Sequence, residues 1–136
     1  MSDLYFDWTK QGNKIVREEV EYAVGHYGDY IVYTDELDLY DFDVETGIVS
    51  NRLRLTLPAP NNQPYGAEFS PNSQVLYVTG SNDNFGPGSN VPSAHQSILV
   101  QYNMNSGNID NSAIVIDRQD LFRSALQLGP NGRIYR

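Results

Sequence analysis

The stretch Tyr65-Gly66-Ala67-Glu68-Phe69-Ser70-Pro71-Asn72-Ser73-Gln74-Val75-Leu76-Tyr77-Val78-Thr79 reads as strand, tight turn and strand, and its pattern returns at the end of the chain. Pro71 fixes φ at the second turn position, Asn72 tolerates the third, and the residues on either side are strand formers. The second copy is Leu126-Gln127-Leu128-Gly129-Pro130-Asn131-Gly132-Arg133-Ile134-Tyr135. Phe69 aligns with Leu128, Pro71 with Pro130, Asn72 with Asn131 and, after a one-residue gap, Leu76-Tyr77 with Ile134-Tyr135. A hairpin signature that recurs predicts a repeat architecture built from sheets.

A second ladder runs beside the first. Leu4, Leu39 and Leu99 each precede a glycine by the same interval, at Gly12, Gly47 and Gly107. The longer step between the last two rungs is filled by residues 80–96, rich in Gly, Asn, Ser and Pro, which have the composition of an irregular loop. With that loop removed the spacing falls near the blade period of a β-propeller, four strands in about 40–50 residues.

The expected fold is therefore all-β, with four-stranded antiparallel meanders whose strands are lettered A (inner) to D (outer). Residues 3–8 and 14–17 are read as C and D of a half blade (1–18). Residues 19–24, 29–34, 36–42 and 51–57 are read as A to D of a complete blade (19–57). In the last of these Leu53, Leu55 and Leu57 alternate with Arg52, Arg54 and Thr56, the pattern of a strand with one buried face. A second blade (64–117, carrying the loop 80–96) takes 65–70, 75–79, 97–104 and 112–117; residues 118–124 connect onward as one helical turn. Residues 125–128 and 133–135 are A and B of a last half blade (124–136). The tally is half, one, one, half. Two half blades leave open edges, which implies self-association through the ends or membership of a longer propeller.

Composition bounds the function. A chain of 136 residues supports one modest core, and 10 Tyr with 5 Phe suit half-buried strands. The absence of Cys removes disulfides, thiolate metal sites and thiol catalysis. There is neither an apolar run long enough for a membrane helix nor a signal-peptide pattern at Met1-Ser2-Asp3. The net charge of -8 is concentrated: residues 18–45 hold ten acids and no Lys or Arg, which repels phosphate backbones and anionic lipid. Nucleic acid and membrane insertion are therefore not expected.

Three motifs carry a family resemblance: Leu39-Tyr40-Asp41-Phe42-Asp43 with Thr46-Gly47, then Tyr65-Gly66-Ala67-Glu68-Phe69-Ser70-Pro71, then residues 125–135. On these the chain resembles the propeller-containing surface proteins of Bacteroidota that are exported by the type IX secretion system and often carry a gliding-motility-associated C-terminal domain. The family usually has Asp after the Ser-Pro or Gly-Pro pair, where this chain has Asn72 and Asn131, a change the turn tolerates. The resemblance covers residues 36–136 and implies an extracellular or cell-surface location.

Candidate chemistry is sparse. His26 and His95 lie in no catalytic motif, and there is no Gly-X-Ser-X-Gly elbow or phosphate-cradling loop. Asp35, Glu36, Asp38, Asp41, Asp43 and Glu45 are hard oxygen donors suited to Ca²⁺; alternation along a strand spreads them, leaving Asp41 and Asp43 as weak candidates for a shared ion. No other cofactor is implied. The loop 80–96 is either an unselected insertion or a recognition loop whose Asn82, Asp83, Asn84, Phe85 and His95 suit a protein or carbohydrate ligand. Glu68 and Gln127 are polar at equivalent inner-strand positions. The leading expectation is a non-enzymatic scaffold for protein or glycan interaction; the alternative is a propeller hydrolase or lactonase with an acidic or metal-bound site.

Overall fold

Turn residues set where the chain reverses, and strand formers fill the intervals. The computed structural model describes residues 2–11, 14–24, 31–82 and 88–136, with side chains described from Leu37 onward. Strands β1 (Ser2–Gln11), β2 (Lys14–Val24), β3 (Ile31–Phe42) and β4 (Val49–Arg54) form one antiparallel sheet in chain order. A second meander contains β5 (Gln63–Phe69), β6 (Val75–Ser81), β7 (Ser97–Asn103) and β8 (Ile114–Gln119). The hairpin β9 (Gln127–Leu128) and β10 (Ile134–Tyr135) follows, and none of the three sheets closes on itself. The protein is all-β and antiparallel.

Six short strands are predicted over residues 3–57, and the backbone makes four, three of them long. Neither Arg17-Glu18-Glu19 nor Thr34-Asp35-Glu36 contains Gly, Pro or Asn, so nothing stops the strand: 14–17 and 19–24 merge into β2, and the predicted strands at 29–34 and 36–42 are one strand, β3. Residues 1–18 thus do not stand apart as half a sheet; the strands expected there as C and D are the first strand, β1, and the beginning of the second, β2. The turns at Gly12 and His26 lie outside the described residues. No helical turn forms over 118–124; short 3-10 turns occur instead at Pro92–Ala94 and Asp110–Ser112.

The repeated hairpin is present down to its register. Phe69 pairs with Leu76 and Glu68 with Tyr77; equivalently, Leu128 pairs with Ile134 and Gln127 with Tyr135. In the first turn the Ser73 N–H donates to the Ser70 carbonyl at 2.9 Å with Ser73 at φ 61°; in the second, Gly132 donates to Gly129 at 3.1 Å with φ 74°. The left-handed position suits Gly and costs Ser some strain, which the side-chain bonds around Ser70 and Asn72 offset. The leucine ladder holds in two of its three rungs. Leu39 and Leu99 both sit on third strands beside a register shift, whereas Leu4 is on a first strand, so its spacing to Gly12 reflects no equivalence.

Alternation assigns the second sheet two faces, because paired residues across antiparallel strands share a face. On one face Ala67, Phe69, Leu76, Val78, Ile98, Val100 and Tyr102 are buried, and they form a single core with Leu37, Leu39, Leu55 and Leu57 of the first sheet and its exit segment. Each fully buried aliphatic or Phe side chain contributes about 1.5–3 kcal/mol. The leucine alternation holds at Leu55 and Leu57, while Leu53 remains 38% exposed. Asp38, buried between Leu37 and Leu39, points to the other side of β3, where Arg54 and Arg52 from β4 reach its two oxygens at 2.6 and 3.1 Å.

Two connecting segments lie flat against the second sheet. The incoming one (55–62) is held by Tyr102, whose hydroxyl donates to the Thr56 carbonyl at 2.9 Å, and by Asp110, which accepts from the Thr56 N–H at 2.6 Å. Burial first, and then the Asp110 charge, push the Tyr102 phenol well above its ordinary range. Gly80 makes room for this segment, since a Cβ there would run into the Asn61 carbonyl oxygen. The outgoing segment (120–126) crosses the opposite face at Gly66, where a Cβ would meet the main chain of residues 124–126 at 3.0–3.1 Å.

Candidate functional site

A meander brings its even-numbered connections to one end of the sheet. Here the loop between β6 and β7, the segment entering β5 and the segment leaving β8 form one rim. Asn82 and Gln96 close the base of the long loop: the Asn82 N–H donates to the Gln96 carbonyl at 3.3 Å, and the Gln96 N–H to Asn82 Oδ1 at 3.0 Å. Asn61, fully buried, ties the incoming segment to the same place by donating to the Gln96 carbonyl at 3.3 Å and accepting from Arg118 at 3.4 Å.

On this base the segment Leu121-Phe122-Arg123 reaches in two directions. The Phe122 ring lies 4.7 Å from the half-buried His95 ring at an interplanar angle of 53°, and the Arg123 guanidinium carbon stands 5.2 Å from the centre of the Tyr65 ring. His95 Nε2 is 2.6 Å from the Ser89 carbonyl oxygen; that oxygen can only accept, so Nε2 carries a proton and the ring is oriented. Phe122 is still 44% exposed, and Leu121, Val91 and Tyr65 also face solvent. The arrangement places exposed stacking surfaces beside a cation and several amides.

The sequence candidates fall into three groups. Asn82 and His95 belong to the rim as structural and contact residues, while Asp83, Asn84 and Phe85 lie outside the described residues. Glu68 is a tie between strands: Oε2 accepts from the Leu128 N–H at 3.3 Å and Oε1 from the Phe69 N–H at 3.2 Å. Gln127, its repeat equivalent, is exposed, so the two do not converge on a common site. Asp41 accepts from the Asn51 amide at 2.8 Å. Asp43 caps its own turn, and the N–H groups of Glu45 and then Thr46 hold its carboxyl below the usual range. Asp38 is taken by two arginines. Among the described residues no group of three metal-ligating side chains is gathered.

Reading strand by strand passes over Tyr65, Leu121, Phe122 and Arg123. The available signal is Leu121-Phe122 in a connecting segment, where large apolar residues have no strand face to fill. Also missed is a polar knot beneath the rim. Thr79 Oγ1 accepts from the Gly66 N–H at 2.9 Å and donates to the Ser124 carbonyl at 2.5 Å. Arg136 donates to Ser124, Asp117 and Ser97 at 2.8, 2.6 and 2.7 Å. These groups fasten the β9–β10 hairpin and its lead-in to the second sheet. No protein-family model matches the chain, and neither a curated protein nor a solved structure matches it.

Proposed function

We propose that the chain is a non-enzymatic scaffold of the β-propeller kind that presents the rim built from residues 88–96 and 120–126, with Asn82 at its base, to a protein or glycan ligand. The observation that carries the scaffold reading is the recurrence of one hairpin, turn for turn and pair for pair, with the inner strand of the second sheet tied to the inner strand of the next through Glu68. Sheets of four antiparallel strands, each covering the face of its successor, are the way blades stack. On this reading the chain holds two blades and the inner half of a third. Placement at a bacterial surface rests on the sequence resemblance.

The ligand reading rests on the exposed aromatic and apolar residues of the rim. Surface aromatics that keep one face open while their edges are packed are rigid anchors for a partner or a sugar ring. The hydrolase alternative has less support, because the carboxylate it would use, Glu68, is engaged by two backbone N–H groups.

A panel of immobilised neutral oligosaccharides and extended peptides, probed with the wild-type chain, tests the proposal. Binding should weaken at least tenfold in Phe122→Ala and in Leu121→Ser while the fold, followed by circular dichroism, is retained. Binding indifferent to both variants would move the site away from the rim. Turnover of esters or lactones that depends on added Ca²⁺ would favour the enzyme instead.

A further inference from the structure

We infer that Asn131-Gly132, in the turn of the β9–β10 hairpin, is a self-modification site. The chain converts Asn131 to isoaspartate without an enzyme, and the altered turn loosens the hairpin. The inference rests on the geometry of this turn and depends neither on the rim nor on the propeller reading.

Asn131 and Gly132 form the one Asn-Gly pair of the sequence, and both are exposed. Asn131 Oδ1 accepts from the Arg133 N–H at 3.1 Å, and Nδ2 donates to the Tyr135 hydroxyl at 2.9 Å. A side-chain carbonyl bonded to the N–H two residues on is folded back over the intervening peptide, whose nitrogen here belongs to Gly132. The carboxamide carbon is therefore held beside that nitrogen, and the Arg133 N–H donates where negative charge develops on Oδ1 during attack. Gly132 has φ 74° and no Cβ to crowd the approach. Its N–H donates to the Gly129 carbonyl at 3.1 Å, and giving up that neutral, exposed bond slows the step only roughly fivefold.

The chemistry needs only water. The Gly132 nitrogen loses its proton to solvent and its electron pair forms a bond to Asn131 Cγ, while the Cγ–Nδ2 bond breaks and Nδ2 leaves as ammonia with a proton taken from water. Water then opens the succinimide ring. Attack at Cγ gives aspartate, whereas attack at the Asn131 main-chain carbonyl leaves the backbone running through Cγ, longer by a methylene, with a free α-carboxylate. That methylene moves the Gly132 N–H away from Gly129. The Gly129 N–H bond to the Arg133 carbonyl at 2.7 Å and the pairs Leu128 with Ile134 and Gln127 with Tyr135 lie directly beyond this turn.

The first hairpin supplies an internal control. Asn72 Oδ1 also accepts from the N–H two residues on, that of Gln74 at 3.2 Å, but Ser73 follows it at φ 61° and carries a Cβ. Serine fits at 132 as well, since a Cβ there would come nearest Pro71 Cγ at 3.8 Å.

The test incubates the full chain in mildly alkaline buffer and follows each asparagine by peptide mass mapping, with isoaspartate and aspartate separated by chromatography. Asn131 should convert at least about tenfold faster than Asn72, chiefly to isoaspartate, and within about tenfold of the rate in the urea-unfolded chain. Gly132→Ser should slow conversion at least about tenfold with the circular dichroism unchanged. In the converted chain the Gly129 amide should exchange faster, while Asn131→Asp, which adds the charge without the methylene, should leave it slow. Asn131 intact in the folded chain when the unfolded chain has reacted overturns the inference, as do equal rates at Asn131 and Asn72 or indifference to Gly132→Ser. Gly129 exchange unchanged by conversion, or equally fast in Asn131→Asp, would overturn the loosening of the hairpin.

Discussion

Alanine at position 80 should destabilise the protein, although the same change in an ordinary strand is favourable. Replacing Gly by Ala removes unfolded-state freedom worth roughly 0.5–1 kcal/mol. At Gly80 the added Cβ meets main chain: it falls well inside contact with the Asn61 carbonyl oxygen and 3.0 Å from Leu57 Cδ1. That carbonyl cannot swing away at low cost, because Asn61 is fully buried and its side chain is bonded to Gln96 and Arg118. Overpacking costs about 1–3 kcal/mol. Lifting Leu57 forfeits part of the about 1.5–3 kcal/mol gained by burying it. After the entropic gain is subtracted, the net loss is about 2–3 kcal/mol, or roughly 10 °C in the unfolding midpoint of a domain this size. Gly107 is the control, since nothing lies within 4 Å of a Cβ there and its φ is not left-handed; Gly107→Ala should leave stability unchanged or slightly raised. Urea unfolding of both variants decides. If Gly80→Ala is as stable as Gly107→Ala, the segment 57–61 does not pack on β6 and the account of how the first sheet covers the second is wrong.

Tyr102→Phe should cost about 1 kcal/mol at neutral pH, the worth of one neutral hydrogen bond, as read by urea unfolding. The same phenol makes stability pH-dependent: its folded pKa is raised, so its contribution is complete below the unfolded value of about 10 and is lost as pH rises above it. Unfolding free energy measured at pH 7 and above pH 10 should therefore fall more in the wild type than in Tyr102→Phe, and equal slopes would count against a protonated buried phenol. Asp38→Asn removes a buried carboxylate bonded to two arginines, and a loss of about 1–3 kcal/mol is expected, moderated because both arginines remain in reach of water. A double-mutant cycle with Arg54→Met checks it, since additivity would mean that the pair is not coupled. Thr79→Val should leave the Gly66 N–H and the Ser124 carbonyl without their partner, at about 2–4 kcal/mol. Hydrogen exchange should then show the Leu128 and Gly129 amides opening ahead of the β6 and β7 amides; simultaneous opening would argue that the hairpin is fastened elsewhere.

Some of this protein is written in local sequence. Ser70-Pro71-Asn72-Ser73 and Gly129-Pro130-Asn131-Gly132 specify the same turn because proline, asparagine and a left-handed fourth residue act within four positions, whatever surrounds them. Equivalence of the two hairpins, including the one-residue gap, followed from those residues alone. Strand ends were less legible. Neither Arg17-Glu18-Glu19 nor Thr34-Asp35-Glu36 holds a turn residue, so each strand expected to break there runs through, and only a Gly, Pro or Asn would have stopped it. Tertiary packing alone decided the roles of single side chains. Glu68 and Gln127 occupy equal positions in the repeat, yet Glu68 binds the Leu128 N–H because a neighbouring strand lies against it, while Gln127 has solvent in that place. Among the described acids of residues 18–45, Asp38, Asp41, Asp43 and Glu45, Asp38 is the buried one because Arg52 and Arg54 arrive from a strand more than ten residues away. Gly66 and Gly80 carry no local mark that separates them from other glycines; their need for a bare Cα arises only where chain segments distant in sequence cross the sheet.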